Sequence, residues 1–337
     1  MNDSYDVFIA GGGLGGLLSA SLLSKMGYSV FLAEKLPFYG GRFTSINHDG
    51  VMVPTGAVHM IPHGPRGMVG RLLLNYLGLN IKIIDTDYFA SWLWKDGRVI
   101  KQKSFWSIIK AVPKLSQRWS LIRHIVRDNR RKNRFKGVIF QDYLNQTVND
   151  DQIDKLFEAF LGFALSINNQ DIDTFHVFNV LSKHYHYGRP GIPIGGCKGI
   201  IDNLIREIHR NKGNLMNYCV VKEFITDDDS ITSALCFDRR KNIDFSVKAK
   251  IFISNIGPFE TMRLLPNNSL SNEKMPYSPA IGGGFVFRTP TSVLNQSGVV
   301  FLPDNYRLKG VVEPTSVSYT HLRAHETSLH LVCRLLL

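Results

Sequence analysis

Gly11, Gly13 and Gly16 stand in the spacing G-x-G-x-x-G directly after the apolar run Val7, Phe8, Ile9 and Ala10. Glu34 follows eighteen residues after Gly16, and Gly40, Gly41 and Arg42 come next. Residues of these types at these intervals hold a phosphate-bridged dinucleotide. Gly11 permits a tight turn, Gly13 lets the backbone approach a pyrophosphate, and Gly16 lets a helix pack closely on a strand. Glu34 is placed to accept hydrogen bonds from a ribose diol. The pair Gly40-Gly41 brings a second stretch of backbone close, and Arg42 adds charge-assisted bonds to phosphate. A dinucleotide site of the nicotinamide kind needs no such second loop. The plainer alternative is a glycine-rich turn followed by a surface turn with a solvated arginine.

These residues need a strand, a helix and a second strand to position them. Val7 to Ala10 read as a buried parallel strand. Leu17, Leu18, Ala20, Leu22 and Leu23 recur at helical period, and Gly27 closes that helix. The helix N-terminus offers free N–H groups and a positive dipole end to phosphates. Residues 29–33 form the second strand, with Glu34 at its end.

The run E-K-x-x-x-x-G-G-R-x-x-S from Glu34 to Ser45 resembles the flavoprotein superfamily of phytoene desaturases, carotenoid isomerases and monoamine oxidases. Residues 50–57 (GVMVPTGA) resemble its G-F-x-F-D-x-G-A hairpin, with Pro54 where that family has Asp and with Gly56 and Ala57 in place. A second signature, P-x-G-G-x-x-x-L then helix, turn and strand, is met by Pro193, Gly195, Gly196 and Ile200, with Gly213 as the turn. Val221 falls where the family's strand holds adenine through backbone groups; a plain strand valine reads equally well from the letter alone. Residues 249–258 resemble A-D-x-V-I-S-N-A-x-P, with Lys250 for Asp, and set Ser254 and Asn255 at a strand end beside the crevice.

The resemblance implies an α/β fold: a doubly wound FAD/NAD(P)-binding (Rossmann-like) domain interrupted by a mixed α/β substrate domain. It implies FAD as cofactor, held by Gly11, Gly13, Gly15, Gly16, Glu34, Lys35, Gly40, Gly41, Arg42, Gly56, Ala57 and Val221. It further implies hydride movement between an apolar isoprenoid or carotenoid-type substrate and flavin, or isomerisation of that substrate. Two alternatives share the pattern. One is a flavin monoamine oxidase; the other is a non-catalytic prenyl-binding protein of the GDP-dissociation-inhibitor kind, against which Glu34 and Gly40-Gly41-Arg42 argue. No residue is assigned as catalytic acid or base.

The chain has 337 residues, 44% hydrophobic, which suits about two domains with substantial cores. The expected division is 1–62 and 194–265 for the FAD domain, 63–193 and 266–316 for the substrate domain, and 317–337 as a non-native tail. The net charge of +12 is confined to one place. Residues 94–137 hold 14 Lys or Arg against Asp96 and Asp128, while the other 26 basic and 26 acidic residues cancel. Residues 91–100 read as a hairpin turning at Asp96-Gly97. Residues 105–127 read as a helix with Phe105, Ile108, Ile109, Val112, Leu115, Trp119, Ile122 and Val126 on one stripe and Lys110, Lys114 and Arg118 elsewhere, kinked or divided at Pro113. This suits a helix lying in an anionic membrane interface, or equally a cap helix with a solvated basic face.

The charge run 127–136 reads as a loop, and no nucleic-acid-binding motif accompanies it. Helices are expected within 140–163 and 171–181, and strands at 230–238, 244–249 and 281–287. Two histidine groups draw attention. His59 and His63 sit in a loop near the expected flavin pocket. His184 and His186 alternate with Tyr185 and Tyr187 like a strand, a poor metal site without a third ligand. No metal is expected. Cys197, Cys219, Cys236 and Cys333 show no metal-like spacing. With an acidic N-terminus and no apolar run of roughly 18 to 20 residues, a cytoplasmic protein, peripheral on the inner membrane face, is expected. From Val317 the text VSYTHLRAHETSLHLVCRLLL resembles a translated sequencing-library adaptor. The family's late segment G-D-x-x-x-P-G-x-G finds no match in residues 265–316. The expectation is therefore a truncated flavoprotein whose last residues pack poorly.

Overall fold

A strand with no polar residue on either face must be covered on both, and Val7, Phe8, Ile9 and Ala10 are all buried. The computed structural model describes residues 4–48, 51–56, 60–104, 107, 115–228, 230–265, 282–289, 293–294, 296–304, 307–313 and 329–336. In chain order the first elements are β1 (Tyr5–Ala10), α1 (Leu14–Lys25), β2 (Val30–Ala33), β3 (Ser45–His48), β4 (Val51–Pro54), α2 (Met68–Arg71), β5 (Ile83–Asp85), β6 (Ala90–Leu93) and β7 (Val99–Gln102). Next come α3 (Leu115–Asn129), α4 (Phe140–Thr147), α5 (Asp151–Leu165), α6 (Thr174–Tyr187), β8 (Gly191–Pro193), α7 (Gly196–Arg210) and β9 (Asn214–Met216). The last are β10 (Cys219–Asp227), β11 (Ser230–Asp238), β12 (Ile243–Ser254), α8 (Pro258–Leu264), β13 (Gly282–Thr289), β14 (Val299–Phe301), β15 (Leu308–Val312) and β16 (Leu329–Leu336). The chain divides into two compact units, one of Met1–His59, Arg71–Ile81 and Gly195–Ser278, the other of Met60–Gly70, Lys82–Ile194 and Pro279–Leu337.

The first unit is the Rossmann-like α/β body that the glycine pattern implies. Its sheet runs β10-β11-β12-β1-β2-β9, with β1 parallel to both β2 and β12 and β9 parallel to β2. Phe8 stacks on Phe31 at 5.9 Å and meets Phe224 edge-on at 6.3 Å, anchoring a core that also holds Cys219, Ala234, Cys236 and Val247. The strands expected at 244–249 and 249–254 are one. β12 pairs antiparallel with β11 over its first half and parallel with β1 over its second. A second correction concerns the sheet's far edge. The parallel strand beside β2 is the short Asn214–Met216, whereas Val221 lies in the antiparallel ribbon β10–β11. The sequence hid β9 because only three residues separate the turn at Gly213 from the bend before β10. Lys250, standing for the family's Asp, forms a surface ion pair with Asp6 at 2.7 Å. That contact, with hydrogen bonds from Ser29, holds the Asp6 carboxyl below the usual carboxylate range.

The second unit carries the sheet β13-β16-β15-β14-β6-β7 and helices α3 to α6. Trp92 stacks on Phe301 at 4.6 Å in its interior. The hairpin β6–β7 turns at Gly97, whose φ is +81°. α5 and α6 are capped by Asp150 and Asp173, each accepting from backbone N–H groups of the first turn. Residues 184–187 are the end of α6, not a strand. The buried residues Val177, Phe178 and Leu181 set a helical stripe that His184 continues, and this outweighs the local alternation. The run 127–136 is likewise partly helical, since α3 extends to Asn129 and a tight turn follows at Lys132–Phe135. Of the expected helix 105–127, residues 115–127 lie in α3; residues 105, 106 and 108–114, Pro113 among them, lie outside the described residues. Residues 329–336, expected to pack poorly, form β16, whose backbone ladder joins β13 and β15. A ladder uses main-chain groups, so an alternating text such as LHLVCRLL enters one readily. Among the described residues no helix is long and apolar enough to cross a membrane.

His184 and His63 meet with ring centroids 4.8 Å apart. Burial pushes the His184 imidazole down to about 4, and burial also lowers that of His63, where Lys183 and Arg66 add repulsion. The unfolded chain therefore binds protons that the folded one refuses. Stability should be full above about pH 6.5 and fall by about 3 kcal/mol as the pH drops to about 4. Urea denaturation across that window checks this, and His184→Gln should flatten the dependence.

Candidate functional site

Where β1 and β2 end, the chain builds two glycine loops and binds them to each other. Gly11 has φ +98°, and its N–H donates to the Ala33 carbonyl at 2.8 Å. Gly13 caps α1 in an extended conformation with no side-chain cap, so the first N–H groups of a twelve-residue helix have no capping side chain. A Cβ on Gly16 would lie 2.0 Å from the Gly11 carbonyl oxygen, so α1 approaches the turn more closely than any side chain permits. The second loop docks on the first: the Gly40 N–H donates to Gly12 O at 2.7 Å, and Gly13 and Gly40 form a parallel bridge. Gly40 and Gly41 have φ +102° and +56°. A Cβ on Gly40 would meet Thr44 at 2.7 Å and Ile201 at 2.9 Å. Thr55 fixes the loop from β4, donating its hydroxyl to the Gly41 carbonyl at 2.7 Å.

Glu34 is buried, and both carboxylate oxygens are engaged. Oε2 accepts from the Gly12 N–H at 2.7 Å and Oε1 from the Leu36 N–H at 2.8 Å. Its own N–H donates to Met216 O in β9, and its carbonyl accepts from Cys219 in β10, both at 2.8 Å. The acid is thus a node joining the first glycine loop to the far edge of the sheet. Each oxygen keeps a lone pair for a further donor.

Between these loops and β10 lies a crevice of about 840 Å³. Gly11, Gly13, Gly15, Glu34, Lys35, Gly40, Gly41, Arg42 and Val221 all line it. Gly16 sits behind it as a packing contact, and Gly56 approaches Arg42 without lining the crevice. Ala57 and His59 lie outside the described residues. Asn255 lines the crevice, with its carboxamide beside Gly13 and Gly15, whereas Ser254 turns to Thr261 at 2.6 Å. His63 belongs to the other unit, its Nδ1 3.1 Å from Gly188 O, and does not line this crevice.

Two charged lining residues escaped the sequence reading. Arg239 follows β11 in the turn DRRKN, where a basic turn carries no spacing signal, and Glu260 sits in α8. The side chains of Lys35, Arg42 and Arg239 are exposed and make no ion pair among the described residues. Three cations, a helix N-terminus and backbone bared by glycine suit a polyanionic ligand, and Glu34 suits a polyol beside it. Cys219 lines the crevice too. It hydrogen-bonds Cys236, and that contact together with burial pushes the Cys236 thiol well up, which makes it a poor nucleophile. Among the described residues no group of three or more His, Cys, Asp or Glu is disposed to hold a metal.

Comparison with known proteins agrees with this geometry. Residues 9–76 match the family described as NAD(P)-binding Rossmann-like domain. A solved structure, an oxidoreductase from Methanosarcina mazei, superposes with TM-score 0.85 at 28% identity over 98% of this chain and 79% of its own. A local match, 46% over 50 residues, joins 15% of this chain to 10% of the 4,4'-diapolycopen-4-al dehydrogenase of Metabacillus indicus. The uncharacterized protein MJ1488 of Methanocaldococcus jannaschii is 32% identical over 309 residues, 92% of this chain and 72% of that protein. A two-loop glycine crevice on a Rossmann-like sheet, together with identity of that extent, shows that this chain belongs to the family of MJ1488.

Proposed function

We propose that the protein is an FAD-dependent oxidoreductase, phytoene-desaturase-like, acting on an apolar isoprenoid or carotenoid-type substrate. The observation that carries this is the hydrogen-bonded pair of glycine loops at Gly12–Gly13 and Gly40–Gly41, with Glu34 beneath them and Arg42 beside them. A second glycine loop of this kind is the addition that the flavoprotein pattern makes to a simple dinucleotide fold. The residues present fit the group: a Cβ at Gly41 would meet only Gly13 Cα, at 3.5 Å, and Lys35, Arg42 and Arg239 make no ion pair among the described residues. The α1 N-terminus and Arg42 would hold the pyrophosphate, Glu34 the ribose hydroxyls, and backbone groups at Val221 the adenine. Bound FAD supplies hydride transfer; the protein's share is to bind and orient it and keep out water. The substrate class is supported by the local likeness to the diapolycopenal dehydrogenase and by the motif resemblance. The M. mazei relative supports the oxidoreductase class.

The crevice is built for the adenosine-diphosphate half of the cofactor, which sets the test. In a flavin-fluorescence titration FAD should bind saturably, ADP should compete, and FMN should bind at least about tenfold more weakly. Equal affinity for FMN, or no competition by ADP, would overturn the cofactor assignment. Reduction of bound flavin by primary amines but not by isoprenoid polyenes would overturn the substrate class in favour of an amine oxidase.

A further inference from the structure

The basic excess of residues 94–137 is not spread evenly over the surface of its unit. On α3, Leu121 is buried while Trp119 is 70% exposed, so the tryptophan faces outward. Trp119, Arg123 and Arg127 recur at intervals of four and share the exposed face. The half-buried Ile122 and Val126 flank it. Arg130, Arg131, Arg134 and Lys136 continue the exposed cationic surface past the helix end.

The two acids of this segment balance only Arg127 and Arg98. Asp128 is buried, accepting from the Tyr143 hydroxyl at 3.0 Å and paired with Arg127 at 2.6 Å. Asp96 is taken by Arg98 at 2.6 Å. Arg123, Arg130, Arg131 and Arg134 make no ion pair among the described residues.

We infer that this face of α3 and the turn after it bind an anionic lipid surface. Interfacial tryptophan with arginine is the composition that settles at the headgroup level, where the ring takes the apolar side and guanidinium groups meet phosphate. A polynucleotide would use the same charges but gives the half-buried Ile122 and Val126 no role.

The test uses the full chain with vesicles of phosphatidylcholine alone and of an equal mixture with phosphatidylglycerol. Sedimentation should show binding to the anionic vesicles only. Raising salt from about 0.1 to about 1 M, which shortens the Debye length from about 10 to about 3 Å, should release it. In a Trp106→Phe background, Trp119 emission should shift to the blue on binding, and adding Trp119→Phe should abolish that shift, since the two remaining tryptophans, Trp92 and Trp94, are buried. Each engaged basic residue changes partitioning about fivefold. The triple variant Arg123→Glu, Arg130→Glu, Arg134→Glu should therefore bind at least about a hundredfold more weakly, while the corresponding triple lysine variant should bind like the parent. Equal binding to both vesicle types, unaltered binding by the glutamate variant, or tighter binding to duplex DNA than to anionic vesicles would overturn the inference.

Discussion

Gly16→Ala should destabilise the protein by about 3 kcal/mol, the upper part of the range for overpacking at a site that cannot yield. The added methyl group would stand 2.0 Å from the Gly11 carbonyl oxygen, and a main-chain atom cannot turn aside as a side chain can. Relief requires α1 to move off β1, which would open the turn that the crevice depends on. Gly27→Ala is the control. Gly27 has φ +91° but nothing within 4 Å of the position a Cβ would take, so only backbone strain opposes the change. That is worth about 1–2 kcal/mol. Chemical denaturation of the two variants separates steric exclusion from conformational strain. Similar losses for both would mean that the helix is not held as tightly against the turn as described.

Glu34→Ala should act twice. Without ligand, the Gly12 and Leu36 N–H groups lose a charged acceptor in a buried place, a loss of about 2–4 kcal/mol in stability. Under the proposed reading the variant also loses the ribose contact, about 1.5–3 kcal/mol of FAD affinity or roughly ten- to a hundredfold. The two effects are measured separately, by denaturation without nucleotide and by titration with FAD. Unchanged stability would refute the anchoring role, and unchanged FAD affinity would refute the ribose role. Glu34→Gln keeps one carbonyl acceptor but turns an amide donor toward a backbone N–H, so it should recover only part of the lost stability.

Much of this crevice can be read in the letters because its requirements are local. A glycine at Gly11, Gly16 or Gly40 answers a positive φ or a contact too close for a Cβ, and both are written into one position each. The central strands were legible for a similar reason, since Val7 to Ala10 and Val30 to Ala33 are buried throughout and read as unbroken apolar runs. What escaped was non-local. Arg239 lines the crevice only because β11 carries its turn there, and nothing in DRRKN records that placement. β9 pairs with β2 through three residues, too few to show a period. Residues 184–187 misled because two-residue alternation and the tail of a helical stripe coincide over so short a stretch. The orientation of Trp119 also depended on tertiary context, since Leu121 rather than Trp119 is buried.

β12 serves two ladders with one uninterrupted backbone, giving its first half to β11 and its second to β1. A local opening that frees the antiparallel ribbon must therefore fray the strand that also borders the first glycine turn, since Asn255, the next residue, donates to Ala10 O at 2.8 Å. The ribbon and the nucleotide crevice are in consequence one cooperative unit: neither has an opening free energy of its own, and amide protection should rise and fall in both together.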